Sequence, residues 1–468
     1  MHDQETADTV ADRMPDAASC RPRRWPDIRL VAGILVALSI GSLLWNLFGP
    51  EPRITVSPRT TFITAPVAAD GLPDYAAHLA ALVGPAPPPE ENAAVLVLEA
   101  MWPLEMRPGS RELAAVCRAL GVPGPPPHPP LVDLEHDPSV KAAVDDTKVV
   151  SGKPWRGDEF EAVADWVTRS GPALDRLVAA SRRPRYWFAS PTLLESPRPM
   201  LFSLLLPDIQ AFRRAARSLA CRGMWHLGAG RTTEAWTDIL AIHRLSRLLV
   251  SQERSRTTFL VTHLVAIAVA DVADTATRLL LADPGLTSAE RAVIRRDLEA
   301  LAPLCAVTTP IGIERLAGID AAVFCAVNRE GTGRRAVLSS GFLGTTAGTP
   351  ADPFGPFVFA TSLDWNTVLA RLNESYDSLD AAAALPTAAL RTAEFKRLEA
   401  RRAPSGGAAG SRLVATVLQL LVNREARSIE AAKTLEAGLM PGLSGYSDRV
   451  ARADVQFRSL LETAGGPP

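Results

Sequence analysis

The side chains with the widest chemical repertoire in this chain are seven histidines, at positions 2, 78, 128, 136, 226, 243 and 263. An imidazole titrates near neutrality and can act as general base, general acid or metal ligand. Two ligands reach one metal from a single helix face when spaced as in HxxxH or HExxH, and neither spacing occurs. His226, His243 and His263 fall on three successive helical stretches. If they converged with Glu234, Asp238, Glu314 or Asp320 they would make a metal site in a helical core. The commoner fate of a histidine on an apolar helix face is a hydrogen-bonded core residue, and that is the expectation here.

Other chemical signals are weaker. Cys20, Cys117, Cys221, Cys305 and Cys325 form no CxxC and no zinc-binding spacing. They are expected to act as small buried hydrophobes, with a Cys305–Cys325 disulfide as the alternative. In GLSG, residues 442–445, a glycine follows the serine directly, which is not the pattern of a nucleophile elbow. The glycines of SSGFLGTTAG, residues 339–348, lack the lysine that would reach a phosphate. SRRPRYWF, residues 181–188, mixes arginines with aromatics as base-stacking surfaces do. With a net charge of −1 the chain has no field to recruit nucleic acid, and an aromatic corner with solvated arginines is expected instead. No catalytic, cofactor-binding or metal-binding residue is assigned, and no cofactor is expected.

The elements that would position these residues begin with the run Leu30–Phe48, LVAGILVALSIGSLLWNLF, which has no ionisable side chain. As a helix it reaches about 28 Å, close to a bilayer core. Ser39, Ser42 and Asn46 are its polar members, and Trp25 and Trp45 bracket it at depths suited to the two interfaces. Arg21, Arg23, Arg24 and Arg29 precede it, whereas Arg53 is the first basic residue after it. This asymmetry places residues 1–29 in the cytoplasm and the rest outside. The run is longer than a signal-peptide core and offers no small-x-small cleavage site. It is therefore read as a single uncleaved anchor.

Alanine and leucine dominate and only 6% of residues are aromatic, which favours helix over strand. Five of the 50 basic residues are lysines, a bias that fits a GC-rich genome. The fold class is mainly α: an N-terminal transmembrane helix followed by an irregular all-α domain of helical hairpins. Residues 1–29 form a disordered tail, 30–48 the transmembrane helix and 49–73 a proline-bearing linker. Residues 74–157 hold short helices at Asp74–Val83, Glu90–Met101 and Ser110–Leu120, separated by the proline-rich runs at 84–89 and 121–130. Ser110 is an N-cap and Gly121 stands just past that helix.

Residues 158–330 are the helical core. It has a helix at Asp158–Ser181 interrupted at Gly171-Pro172, and a hairpin of Asp208–His226 with Thr233–Val250. A buried helix at Arg256–Leu281 contains FLVTHLVAIAVA, too short to span a bilayer. A helix opened by the capping box Thr287-Ser288-Ala289-Glu290 follows, and then Ile311–Arg329. Residues 331–362 are a glycine-rich loop. Residues 363–463 hold helices at Asp364–Ala384, on to Arg402 after Pro386, at Arg412–Leu439 behind a flexible SGG segment, and at Tyr446–Thr463.

The stretch ARSLACRGMWHLGAGRTTEAWTDILAIHRLSRLL, residues 216–249, resembles one tetratricopeptide-type helical hairpin. The resemblance is carried by Ala216 and Ala220, the turn glycines Gly228 and Gly230, and Ala235-Trp236. More broadly, ADWVTRSGPALDRLVAASRRPRYW, this hairpin and LTSAERAVIRRDLEALAPL resemble a family of uncharacterised bacterial membrane-anchored helical proteins. That resemblance implies a fold and an anchor, and no activity. The expected role is a membrane-anchored extracytoplasmic scaffold that meets the lipid bilayer through residues 30–48 and binds other proteins. The alternative is a cell-envelope hydrolase or metal-dependent enzyme centred on His226, His243 and His263.

Overall fold

The computed structural model describes residues 28–101, 109–124, 131–188, 190, 193, 200–204, 207–251, 257–304, 310–328, 355–402 and 410–466. Regular structure among them is helical, with no strand. Several sequence expectations lie outside these residues: the tail up to 27, Cys20, His2, His128, Cys305, most of the glycine-rich loop and the SGG segment.

Helix α1 (Ile28–Phe48) carries the apolar run. It is long and apolar enough to cross a membrane, and only 6% of its apolar window is buried. A core helix of that composition would be covered, so α1 is not a core helix, although its last turn is held by the body. The short helices α2 (Tyr75–Val83), α3 (Ala93–Ala100) and α4 (Arg111–Leu120) follow. Asp74, Asn92 and Ser110 cap their N-termini, each side chain accepting a free backbone N–H of the first turn. Gly121 closes α4 at φ 67°, a left-handed conformation that costs glycine little.

Beyond two brief helices, α5 (Pro138–Ala143) and α6 (Lys148–Ser151), comes α7 (Glu161–Ser181). The expected interruption at Pro172 does not occur, and α7 runs through it. Pro172 lies on the exposed face, where water satisfies the carbonyl that proline leaves unpaired. Helices α8 (Pro207–Gly228), α9 (Thr232–Leu249) and α10 (Leu260–Leu281) pack side by side. Helix α11 (Ser288–Glu299) opens on the full capping box of Thr287 and Glu290. Then come α12 (Ile311–Val327), α13 (Gly355–Ala360), α14 (Trp365–Ala383) and α15 (Ala388–Arg402).

The single helix expected over 412–439 is two: α16 (Gly410–Val422) and α17 (Arg424–Leu439). Asn423 breaks them. Its backbone is extended, at φ −122° and ψ 110°, and its side chain accepts from the Ala426 N–H. A local cap thus outcompetes helical continuation. Helix α18 (Leu443–Gly465) completes the order, and Glu399 accepts from the Ser444 N–H at 2.9 Å and from its hydroxyl at 2.6 Å. The GLSG serine is therefore held at a helix start.

Buried apolar side chains sort into two cores. One gathers α3, α4 and α7–α11 with the far end of α18, including Trp166, Phe212, Leu245 and Leu460. The other gathers α2, α12–α15 and α17 with the near end of α18, including Tyr75, Trp365, Tyr376 and Tyr446. Helix α10 serves both, placing Leu260 in the second and Val269 in the first.

The segment after α1 is laced onto α14. Glu51 accepts from the Leu363 N–H and from the Trp365 indole, both at 3.1 Å. Asn366 accepts from the Thr55 N–H at 2.7 Å and donates to the Arg53 carbonyl at 3.0 Å. Asn373 donates to the carbonyls of Arg59 and Thr60. At the end of α1, the fully buried Arg427 donates to the Asn46 carbonyl at 2.7 Å, and to those of Leu420 at 2.8 Å and Ser362 at 3.3 Å.

Gly228 ends α8 against the backbone of Trp155: a Cβ there would lie 2.1 Å from the Trp155 carbonyl oxygen. Gly228→Ala should therefore lower stability by about 1–3 kcal/mol, through backbone displacement. Gly312→Ala, on an exposed position of α12 where a Cβ meets nothing within 4 Å, should be neutral or slightly stabilising. Chemical unfolding followed by circular dichroism measures both, and equal midpoints for the two variants would contradict the close approach.

Candidate functional site

The three core histidines do not share one site. Each is held by its own partners, and among the described residues no group of three or more histidine, cysteine or acidic side chains is placed to hold a metal ion.

His226, near the end of α8, accepts through Nδ1 from the Arg231 guanidinium at 2.9 Å, and its Nε2 lies 3.9 Å from Asp238. Burial and the neighbouring Arg231 and Arg222 charges lower its pKa to about 4. Asp238 on α9 belongs to Arg222, which donates to it through Nε at 2.9 Å and Nη2 at 2.6 Å. Arg222 also donates to Asp175 of α7 at 2.7 Å, so one guanidinium joins α7, α8 and α9. Such forked pairs have strict geometry, which fixes the register of three helices. Glu234 is exposed. Glu314 accepts from the Leu260 N–H at 2.7 Å, at the start of α10, and Asp320 accepts from the Leu201 N–H at 2.7 Å. Glu314 and Asp320 thus each satisfy a free backbone donor at the start of a helix.

His243 sits on α9 facing α10, fully buried. Its Nε2 lies 2.9 Å from the Thr277 hydroxyl, which donates its own proton to the Ala273 carbonyl at 2.8 Å. Nε2 must therefore carry the hydrogen, leaving the Nδ1 lone pair 3.8 Å from Asp274 Oδ1. Burial, with the Arg247 charge, holds the imidazole well below its usual pKa. Burial raises the Asp274 carboxyl to about 7, against Arg247 and Arg278. Relative to the unfolded chain near pH 5, a proton has in effect moved from imidazole to carboxyl, giving a neutral pair. The rings of Trp236 and Phe457 flank it. A general base must lie within hydrogen-bond reach of its substrate, and this pair is sealed.

His263 lies nearer an opening. Its Nε2 is 3.0 Å from the Thr258 hydroxyl and its Nδ1 is 3.3 Å from the Tyr446 hydroxyl. Both ring nitrogens are engaged, which leaves none to ligate a metal. Thr258 lines a cleft of about 180 Å³ between the two cores, together with Leu79, Tyr186, Trp187, Ser190 and Phe259. Sites for small-molecule ligands run from about 300 Å³ upward, so this cleft has the size of a side chain rather than of a cofactor.

The cleft wall is built from SRRPRYWF. Tyr186 is buried edge-on against Phe212, with ring centroids 4.9 Å apart, and the Trp187 indole donates to the Gly84 carbonyl at 3.2 Å. Arg183 donates to the Pro89 and Asn92 carbonyls. The aromatic part is the expected corner, whereas Arg183 is bound to backbone. Cys117 and Cys221 are buried thiols; burial raises both pKa values and makes them unreactive. Cys325 is buried, and Cys305, its partner in the alternative disulfide reading, lies outside the described residues.

Sequence reasoning did not single out Asp274, Thr277, Thr258 or Tyr446. Asp274 and Thr277 had one signal, a polar i, i+3 pair on the alanine-rich face of α10. No family model, no curated protein and no solved structure matches this chain.

The neutral pair predicts a pH signature. Unfolded, a histidine charges below about 6.5 and an aspartate ionises above about 3.9. Folded, His243 stays neutral and Asp274 stays protonated up to about 7. Just below pH 6.5 their contributions therefore oppose one another and largely cancel. In Asp274→Asn only the depressed histidine remains, and stability should fall as pH drops below 6.5, by up to about 1.4 kcal/mol per unit. In His243→Gln only the raised carboxyl remains, and stability should fall as pH rises from 4 to 7. Urea midpoints across this range measure the slopes relative to wild type. Equal slopes in all three proteins would refute the pair.

Proposed function

We propose that this chain is a single-pass, membrane-anchored scaffold, an irregular bundle of helical hairpins on the extracytoplasmic side that binds other proteins. The observation that carries this reading is the joint between an exposed apolar helix and a helical body. Helix α1 stands free of the cores, and Arg427, Glu51, Asn366 and Asn373 fasten its exit to α14 and α17. A body so fastened is held at a set height and angle above the bilayer, as suits a platform for partners. The arginines before the apolar run and their scarcity just after it support the orientation, with the N-terminus in the cytoplasm.

The cleft between the cores supports the binding role. Its aromatic and hydroxyl lining combines apolar area with hydrogen-bonding groups, as interface pockets that receive one anchoring side chain do. The enzyme reading has less support, because His226, His243 and His263 each answer to separate partners.

Two experiments test the proposal. A reporter enzyme active only outside the cytoplasm, fused after Pro468, should be active in intact cells, and activity confined to a cytoplasmic reporter would reverse the orientation. Crosslinking in native membranes should capture a defined partner from the wild type. Ser251→Trp, which fills the cleft at its lip, should lose that partner with unchanged thermal unfolding. Capture that ignores this substitution would remove the cleft from the binding surface.

A further inference from the structure

We propose that α16 is a second membrane-contact element, a non-spanning helix that lies in the hydrocarbon layer beside the C-terminal half of α1. The proposal rests on the reading that α1 spans a bilayer, and goes beyond it.

The sequence of α16 is unusual for a surface helix. Arg412 is its one ionisable residue, and LVATVLQLLV, residues 413–422, has none. Solvent-facing helical positions normally carry charge, with apolar residues turned inward. In α16 this is inverted. Val414 is 59% exposed, Leu418 57% and Val422 62%, while Leu420 is buried. Residues 414, 418 and 422 follow the i, i+4, i+8 spacing, so they form one continuous apolar stripe. Val417 widens it. Left in water, such a stripe is a liability that a chain covers with a partner or a lipid phase.

The position of α16 identifies the cover. It packs against α1 on one side and α17 on the other. Val422 borders a hollow whose other wall is α1, with Leu35, Leu38 and Leu43. Ser39, Ser42 and Asn46 complete that wall, so the apolar surface of α1 adjoins that of α16 across small uncharged side chains, with no ionisable group between them. The two helices also end at one level. Arg427 donates to the Asn46 carbonyl, in the last turn of α1, and to the Leu420 and Leu421 carbonyls, in the last turn of α16. If α1 leaves the hydrocarbon near Asn46, the last turn of α16 lies at the same boundary. The 13 residues of α16 reach about 20 Å, too short for a hydrocarbon core of about 30 Å. Hence it can be embedded without crossing. Helical backbone suits this place, since its interior hydrogen bonds are made within the segment and Arg427 serves the carbonyls of Leu420 and Leu421 in its last turn. The occupant of the stripe is thus a phospholipid bilayer, the same one that holds α1.

Depth-dependent quenching tests this in the full chain. A fluorescent amino acid is placed singly at Leu418, at Leu38 on α1, or at Val455, which is exposed on α18. Each protein is reconstituted in phosphatidylcholine–phosphatidylglycerol vesicles, and emission is read with acyl-brominated lipid and, separately, with aqueous iodide. The Leu418 probe is expected to lose emission to brominated lipid as the Leu38 probe does, and to resist iodide, with the reverse at Val455. Iodide quenching at Leu418 alongside lipid quenching at Leu38 would overturn the proposal while leaving the anchor intact. Protection at Leu418 from both quenchers would overturn it in favour of a second copy covering the stripe. Absence of lipid quenching at Leu38 would defeat the anchor reading and this proposal together.

Discussion

The structure turns on one buried positive charge. Arg427 has no exposed surface, and its guanidinium is surrounded by carbonyls: those of Asn46, Ser362, Leu420 and Leu421. Burial and the Arg424 charge lower its pKa, and a local negative potential offsets that cost. The C-terminal turns of α1 and α16 supply it, because the unpaired carbonyls at a helix end carry the negative pole of the macrodipole. The requirement is mutual. Two helices that end inside the protein have carbonyls with no intrahelical donor, and one five-donor side chain serves both. From this point the exit of α1, the approach to α14 and the break between α16 and α17 are fixed together.

Elsewhere the interior disposes of charge in two ways. It pairs it across helices, as Arg222 does with Asp175 and Asp238, and Arg315 on α12 with Asp377 on α14 at 2.7 Å. Or it neutralises it, as with His243 and Asp274. Glu314 shows a third course. Its carboxyl is raised to about 7 by burial, yet it accepts the Leu260 N–H at the start of α10, where an acceptor is needed in either protonation state. Groups that resemble catalytic parts in a sequence therefore act here as joints between helices.

Much of this was legible locally. The charge-free run of α1, the cap Ser110, Gly121 and the capping box at Thr287 depend on residues within a few positions of each other. Pro172 misled because a proline on the wet face of a long packed helix costs less than the packing gains. Asn423 misled in the opposite sense: its capping preference is visible, but helix-forming neighbours on both sides mask it. The candidate sites were less legible. His226 meets Arg231 five residues ahead, which a helix terminus makes readable. His243 meets Asp274 only once α9 and α10 have a register. Arg427 and Asn46 are 381 positions apart, and no periodicity connects them.

Helix α18 carries a consequence for how the protein comes into being. Its first turns, with Leu443, Tyr446 and Val450, complete one core, and its last turns, with Leu460 and Ala464, complete the other. Synthesis delivers α1 early and α18 late. Neither core has its full lining until the α18 residues are made, and both receive their last side chains from one helix. A chain cut before Leu443 would leave apolar surface open on both cores at once, so the two cores share the fate of one helix.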